Sequence, residues 1–147
     1  MTTLVDNVST RIDAVVPALK DRIEGIADLA ALIAAGALPQ REVAAFVVPV
    51  GFDDRGGESA TSVHTQVLEE SIAVILCVKA LGDAKARRAL PTIEQLTGAV
   101  IAAVAGWAPD DVAGVFRVVR GRLLSAEKGL VLYQLDFALL DQLRIVL

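Results

Sequence analysis

His64 and Cys77 are the chain's single histidine and single cysteine. An enzyme built on this sequence would need His64 as its base. It has no cysteine nearby, and no serine or acid spacing identifies a nucleophile–base–acid relay around it. Cys77 lies among Ile75, Leu76 and Val78 and reads as a small buried hydrophobe. One cysteine excludes an intramolecular disulfide, and one cysteine with one histidine excludes a Cys/His zinc site. Glu69 and Glu70 are adjacent, so in a strand they point to opposite faces and cannot work as a paired acid and base. They read as solvated strand charges. Gly51, Gly56 and Gly57 lack the GK[ST] and the following helix that a phosphate-cradling loop requires. Arg117, Arg120 and Arg122 fall in one β-type run, where simple alternation puts Arg120 and Arg122 on one face and Arg117 on the other. The plain reading is a solvated or ion-paired strand. The sharper one is a subunit interface, where the guanidinium fork pairs carboxylates. Trp107, at the end of an apolar helix, reads as a core plug. No catalytic, cofactor or metal site follows from these residues.

The elements that position them follow from periodicity. Val5, Val8, Ile12, Val15 and Val16 recur at helical spacing behind a Thr2 or Thr3 cap, and Pro17 ends that helix. Residues 22–26 read as a short strand, after which Asp28 caps a second helix that stops at Gly36, with Pro39 beyond. Residues 44–50 are nearly all apolar, as in a strand covered on both faces, with Pro49 at its end or on an edge. Residues 51–62 (GFDDRGGESATS) show no periodicity and predict an exposed, mobile loop. From Val63 to Lys79 the pattern is β, with Leu68, Ile72, Val74, Leu76 and Val78 on one side. Fully extended, this run covers roughly 55 Å at about 3.3 Å per residue, so it projects beyond the body and forms, with 51–62, a long hairpin arm. Gly82 and Asp83 end it. Leu90, Ile93, Leu96, Val100, Ile101 and Val104 mark a helix with Pro91 in its first turn. Residues 107–111 form a turn, 115–124 a strand, and 126–129 the connection to a last strand. There Val131, Tyr133, Leu135, Phe137 and Leu139 face one way, Gln134 and Asp136 the other, and Leu143, Ile145 and Leu147 resume the first parity. The order α-β-α-β-β-α-β-β predicts an α+β fold with helices packed on one face of a mainly antiparallel or mixed sheet.

Composition narrows the function classes. With 147 residues and 15.4 kDa the chain is expected to form a single domain, 1–147. Apolar residues make up 54% and mean hydropathy is +0.57, enough for a large aliphatic core. A net charge of -4 and 4% aromatic residues disfavour both phosphate neutralisation and a base-stacking platform. The N-terminus shows no basic region followed by an apolar run, and the longest apolar stretch, 96–107, is well short of a bilayer span. No membrane partner is expected.

The order and spacing of several short motifs carry a resemblance. Gly106-Trp107-Ala108-Pro109-Asp110-Asp111 follows an Ala/Val helix; then come Val115-Phe116-Arg117, Gly121-Arg122-Leu123, Leu132-Tyr133-Gln134-Leu135-Asp136-Phe137 and Leu143-Arg144-Ile145. Ile23-Glu24-Gly25, the helix from Asp28, Leu38-Pro39 and the Ala45-to-Val50 strand complete the pattern. Taken together the chain resembles the tail terminator proteins of long, non-contractile-tailed phages. The resemblance implies a non-enzymatic virion protein without cofactors, made in the host cytoplasm. It implies a homo-hexameric ring at the head-proximal end of the tail tube that stops tube polymerisation. The expected partners are a second copy, the tube protein and a head-completion or stopper protein, with DNA passing through the ring without specific binding. Under it, Phe52, Asp53, Asp54, Arg55, Glu58 and His64 are candidates for a tube-docking arm. Arg117, Arg120, Arg122, Glu69 and Glu70 are candidates for subunit or lumen contacts. Two other readings fit the residues: another neck or tail-tube ring protein, and a small dimeric ligand-binding regulatory domain.

Overall fold

The structure is a computed structural model that describes residues 3–35, 42–79, 89–110, 112–127 and 129–147. Helix α1 spans Leu4–Val15 and opens on a capping box: Thr3 Oγ1 accepts the Asp6 N–H at 3.1 Å, and the Asp6 carboxylate accepts the Thr3 N–H at 3.3 Å. Pro17 ends it in a short 3-10 turn, Pro17–Leu19. Strand β1 is Ile23–Glu24, followed by helix α2, Ile26–Ala35. Asp28 does not precede α2 as its cap but is its third residue. From there its carboxylate reaches back to the Gly25 N–H at 3.2 Å, which is the other half of a capping box. Strands β2 (Val43–Ala60) and β3 (Val63–Lys79) form a hairpin. Helix α3 (Ala89–Val104) has Pro91 in its first turn and ends before Gly106, whose φ of +79° suits glycine. Strands β4 (Arg117–Glu127) and β5 (Leu130–Val146) close the chain. Gly36, Pro39, Gly82, Asp83 and Lys128, all expected stops or turn residues, lie outside the described residues.

The five strands form one mixed sheet in the order β1-β2-β3-β5-β4, with β1 parallel to β2 and the rest antiparallel. This is the α+β fold read from the sequence. The helices, however, do not share one face. Ile72, Val74, Leu76, Val131, Leu135, Phe137 and Leu139 pack with α1 and α3. The residues of opposite parity, Ala44, Phe46, Ile75 and Cys77, pack with Leu29 and Leu32 of α2. The apolar run 44–48 is covered on both faces for that reason, and α2 supplies the second cover.

Buried runs in the three central strands lie side by side, Ala44–Val47 against Val74–Cys77 and Ile72–Val74 against Leu135–Phe137. Beyond them the same strands continue without a core. Residues 49–60 of β2, 63–70 of β3 and 140–146 of β5 form a three-stranded arm, closed where the Leu147 N–H donates to the Ser62 carbonyl at 2.7 Å. At about 3.3 Å per residue it projects roughly 25 Å. Residues 51–60 are therefore strand, not the loop expected, and only Thr61 and Ser62 turn. Pro49 does not end β2, because it sits where the strand has no outer neighbour and the ladder absorbs it in a register shift between Pro49 and Gly51. Strand β4 likewise starts at Arg117 rather than Val115 and extends to Glu127 through the expected turn.

Candidate functional site

The sheet sorts the candidate residues by face. On the face carrying α1 and α3, the arm places Phe52 opposite Glu70, Asp54 opposite Leu68, and His64 opposite Ser59 and Ile145. Phe52 is 69% exposed, a large apolar side chain with no cover. A chain of hydrogen bonds runs along this face. Ser59 Oγ lies 2.6 Å from His64 Nδ1, His64 Nε2 lies 3.2 Å from Gln66 Oε1, and Gln66 Nε2 donates to Asp54 Oδ1 at 2.9 Å. The Gln66 bond, followed by one from the Gly56 N–H, holds the Asp54 carboxyl below its ordinary range. Ser59, His64 and Asp54 are thus linked, but through an amide that cannot pass a proton between imidazole and carboxylate as a triad requires. The arrangement stiffens the arm.

The opposite face of the arm root is ionic. Glu69 lies between two guanidinium groups, accepting from Arg55 at 3.0 Å and from Arg117. Hydrogen bonding from Arg55, with the charges of Arg55 and Arg117, holds the Glu69 carboxyl below its ordinary range despite some desolvation, and the same contact raises Arg55. Further along, Arg120 donates through Nε and Nη2 to Asp136, each at 3.3 Å, and Gln134 Nε2 donates to the other Asp136 oxygen at 2.7 Å. Asp53 and Glu58 share this face with Glu69 and Thr65. One link therefore joins three strands, from Arg55 on β2 through Glu69 on β3 to Arg117 on β4.

Arg117 is not on the far side of β4 from Arg120 and Arg122. The register steps from Val118 opposite Phe137 to Arg120 opposite Asp136, leaving Val119 as an extra residue. That bulge reverses the parity, so Arg117, Arg120 and Arg122 all project on the face of Ala138, Asp136 and Gln134. Among the described residues Arg122 makes no ion pair. Glu69 and Glu70 do point apart, as expected, but Glu69 is an ion-pair hub rather than a solvated charge.

Glu70 faces a groove of about 930 Å³ at the arm root, between α1, the Trp107 turn and β5. Its walls include Leu4, Asn7, Trp107, Pro109, Val112 and the carboxylates of Glu70, Asp110 and Asp141. Trp107 is partly buried, stacked on Phe116 with centroids 6.0 Å apart, and Arg11 lies over its ring at 5.4 Å while donating to the Ala103 carbonyl. Sequence reasoning missed this groove, and it missed Gln66, Asp136 and Asp141 as partners. Asp141 left a signal, since it interrupts the odd-numbered apolar parity of β5. Among the described residues no group of three or more His, Cys, Asp or Glu side chains could hold a metal ion, and no helix is long and apolar enough to cross a membrane.

A projecting arm, an ionic sheet face and an open acidic groove are the main surface features of the described residues. The family model for phage tail terminator proteins matches residues 4–145. The chain belongs to the phage tail terminator family. It is a structural component of a phage tail, and such a family is not normally enzymatic. No curated protein matches the sequence. The matched span takes in both the arm and β4.

Proposed function

We propose that this tail terminator assembles into a hexameric ring at the head-proximal end of the tail tube, stops polymerisation of the tube protein and offers its other side to head-completion proteins. The observation that carries this reading is the arm. Three strands extend roughly 25 Å past the core, and no helix among the described residues covers their outer length, a form that a free subunit does not need and a docking subunit does. Phe52 is an exposed apolar anchor, with Asp54 and His64 on its face of the arm and Asp53, Arg55 and Glu58 on the other, polar groups of the kind found at an interface rim. From Pro49 to Glu70 the arm carries five carboxylates against one arginine. Where such a surface faces the lumen it repels the DNA backbone and lets it slide past.

The test is to polymerise the cognate tube protein with increasing amounts of the chain and to measure tube lengths by negative-stain microscopy. Mean length falls as the ratio rises, and Phe52→Asp removes the effect while leaving the fold intact. Tubes of unchanged length at every ratio would overturn the reading. A tube protein of this family type would polymerise alone, and a metabolite-binding regulatory dimer would leave tubes untouched, so the same experiment separates both alternatives.

A further inference from the structure

Strand β4 and the groove at the arm root lie on opposite faces of the sheet and carry opposite charge. On β4, Arg117 and Arg120 have internal partners in Glu69 and Asp136, but Arg122 has none among the described residues. Exposed Val119 and Leu124 flank it on the same strand. The groove offers Glu70, Asp110 and Asp141 beside the apolar surface of Trp107, Pro109 and Val112, and Arg11, the one cation among the described residues of its wall, is engaged by Ala103 and Trp107. Each patch has what the other lacks: on one, a guanidinium in no ion pair among the described residues, with aliphatic neighbours; on the other, carboxylates in no ion pair among the described residues, with an aromatic wall.

We infer that the occupant of this groove is the arginine-bearing β4 of a second copy of the chain. The inference rests on the ring reading above and deepens it by naming the two surfaces that meet. Two different patches on opposite faces make a head-to-tail contact, which propagates around a ring, whereas a twofold dimer needs one self-complementary patch. β4 is an edge strand, yet its two bulges, at Val118/Arg120 and Leu123/Ser125, break the even ladder that strand addition would need. The contact is therefore made by side chains entering the groove rather than by a continuous intersubunit sheet.

Charge reversal tests it. Arg122→Glu makes one variant, Asp110→Lys with Asp141→Lys a second, and all three changes a third, each checked for an unchanged unfolding midpoint. Self-association is read by mass photometry across a concentration series and, on tubes, by end-bound density. The first two variants are expected to associate at least tenfold more weakly than wild type, and the third to recover to within about threefold. Reversals that assemble like wild type would overturn these surfaces while leaving the ring intact, as would a triple variant that fails to recover. A wild-type chain that stays monomeric both free and at tube ends would overturn the ring reading and this inference with it.

Discussion

Replacing Gly57 by alanine drives a methyl carbon into the Thr65 carbonyl oxygen and to 2.8 Å from Gln66 Cα, both backbone atoms of the facing strand. Neither can swing away as a side-chain tip would. To reach an ordinary contact the strands must part by about 1 Å, which stretches the neighbouring ladder bonds from about 2.9 Å beyond useful range. Two such bonds at about 1 kcal/mol each give about 2 kcal/mol, and the upper end of the 1–3 kcal/mol typical of overpacking bounds it, for a local cost of about 2–3 kcal/mol. That raises the population of an opened arm tip roughly 30- to 150-fold. The cost stays local, because Ile72, the nearest residue of the core on β3, is six positions from Gln66, or about 20 Å along the strand. Amide hydrogen exchange is the assay. Protection of residues 57–66 should fall by that factor while the amides of residues 72–78 and the unfolding midpoint stay within error. Unchanged protection at the tip, or a loss spread through the core, would refute the reasoning.

Three further outcomes follow from the packing and charges. Phe46→Ala empties a fully buried site beneath α2 and should cost about 3–5 kcal/mol, measured by urea denaturation. Glu69 is held below its ordinary carboxyl value of 4.5 in the folded chain, so its contribution is present above that pH and is lost as the pH falls through the lowered folded value; a carboxyl titration by NMR should place its midpoint below 4.5, and Arg55→Ala should move it back up. Burial pushes the Cys77 thiol up to about 12, with the charge of Glu24 adding to the effect, so iodoacetamide at pH 8 should label the chain only after unfolding.

Periodicity made much of this fold legible. β3 was readable over Val63–Lys79 because Leu68, Ile72, Val74, Leu76 and Val78 share one side, and α1, α3 and β5 announce themselves by the same kind of spacing. Residues 51–60 gave no such signal. Both their faces meet solvent, so no side-chain alternation was imposed, and the strand is held by backbone bonds to β3 that any sequence can make. The side of Arg117 was hidden for a different reason: one extra residue at Val119 reverses every parity before it, and a bulge leaves no mark in composition. Phe52, Asp53, Asp54, Arg55 and Glu58 were legible as an exposed group, whereas His64 is half-buried. Their sorting was not, since Glu69 meets Arg117 only because β3, β5 and β4 stand in that order, and Glu70 meets Asp110 and Asp141 only after the sheet is paired.

The most direct measurement of the central claim is to polymerise the tube protein with a gold-labelled form of this chain and to score where the label sits. A terminator labels one end of each tube, and labelled ends no longer grow when fresh tube protein is added. Label distributed along the tubes, on both ends alike, or on ends that keep growing would contradict the account.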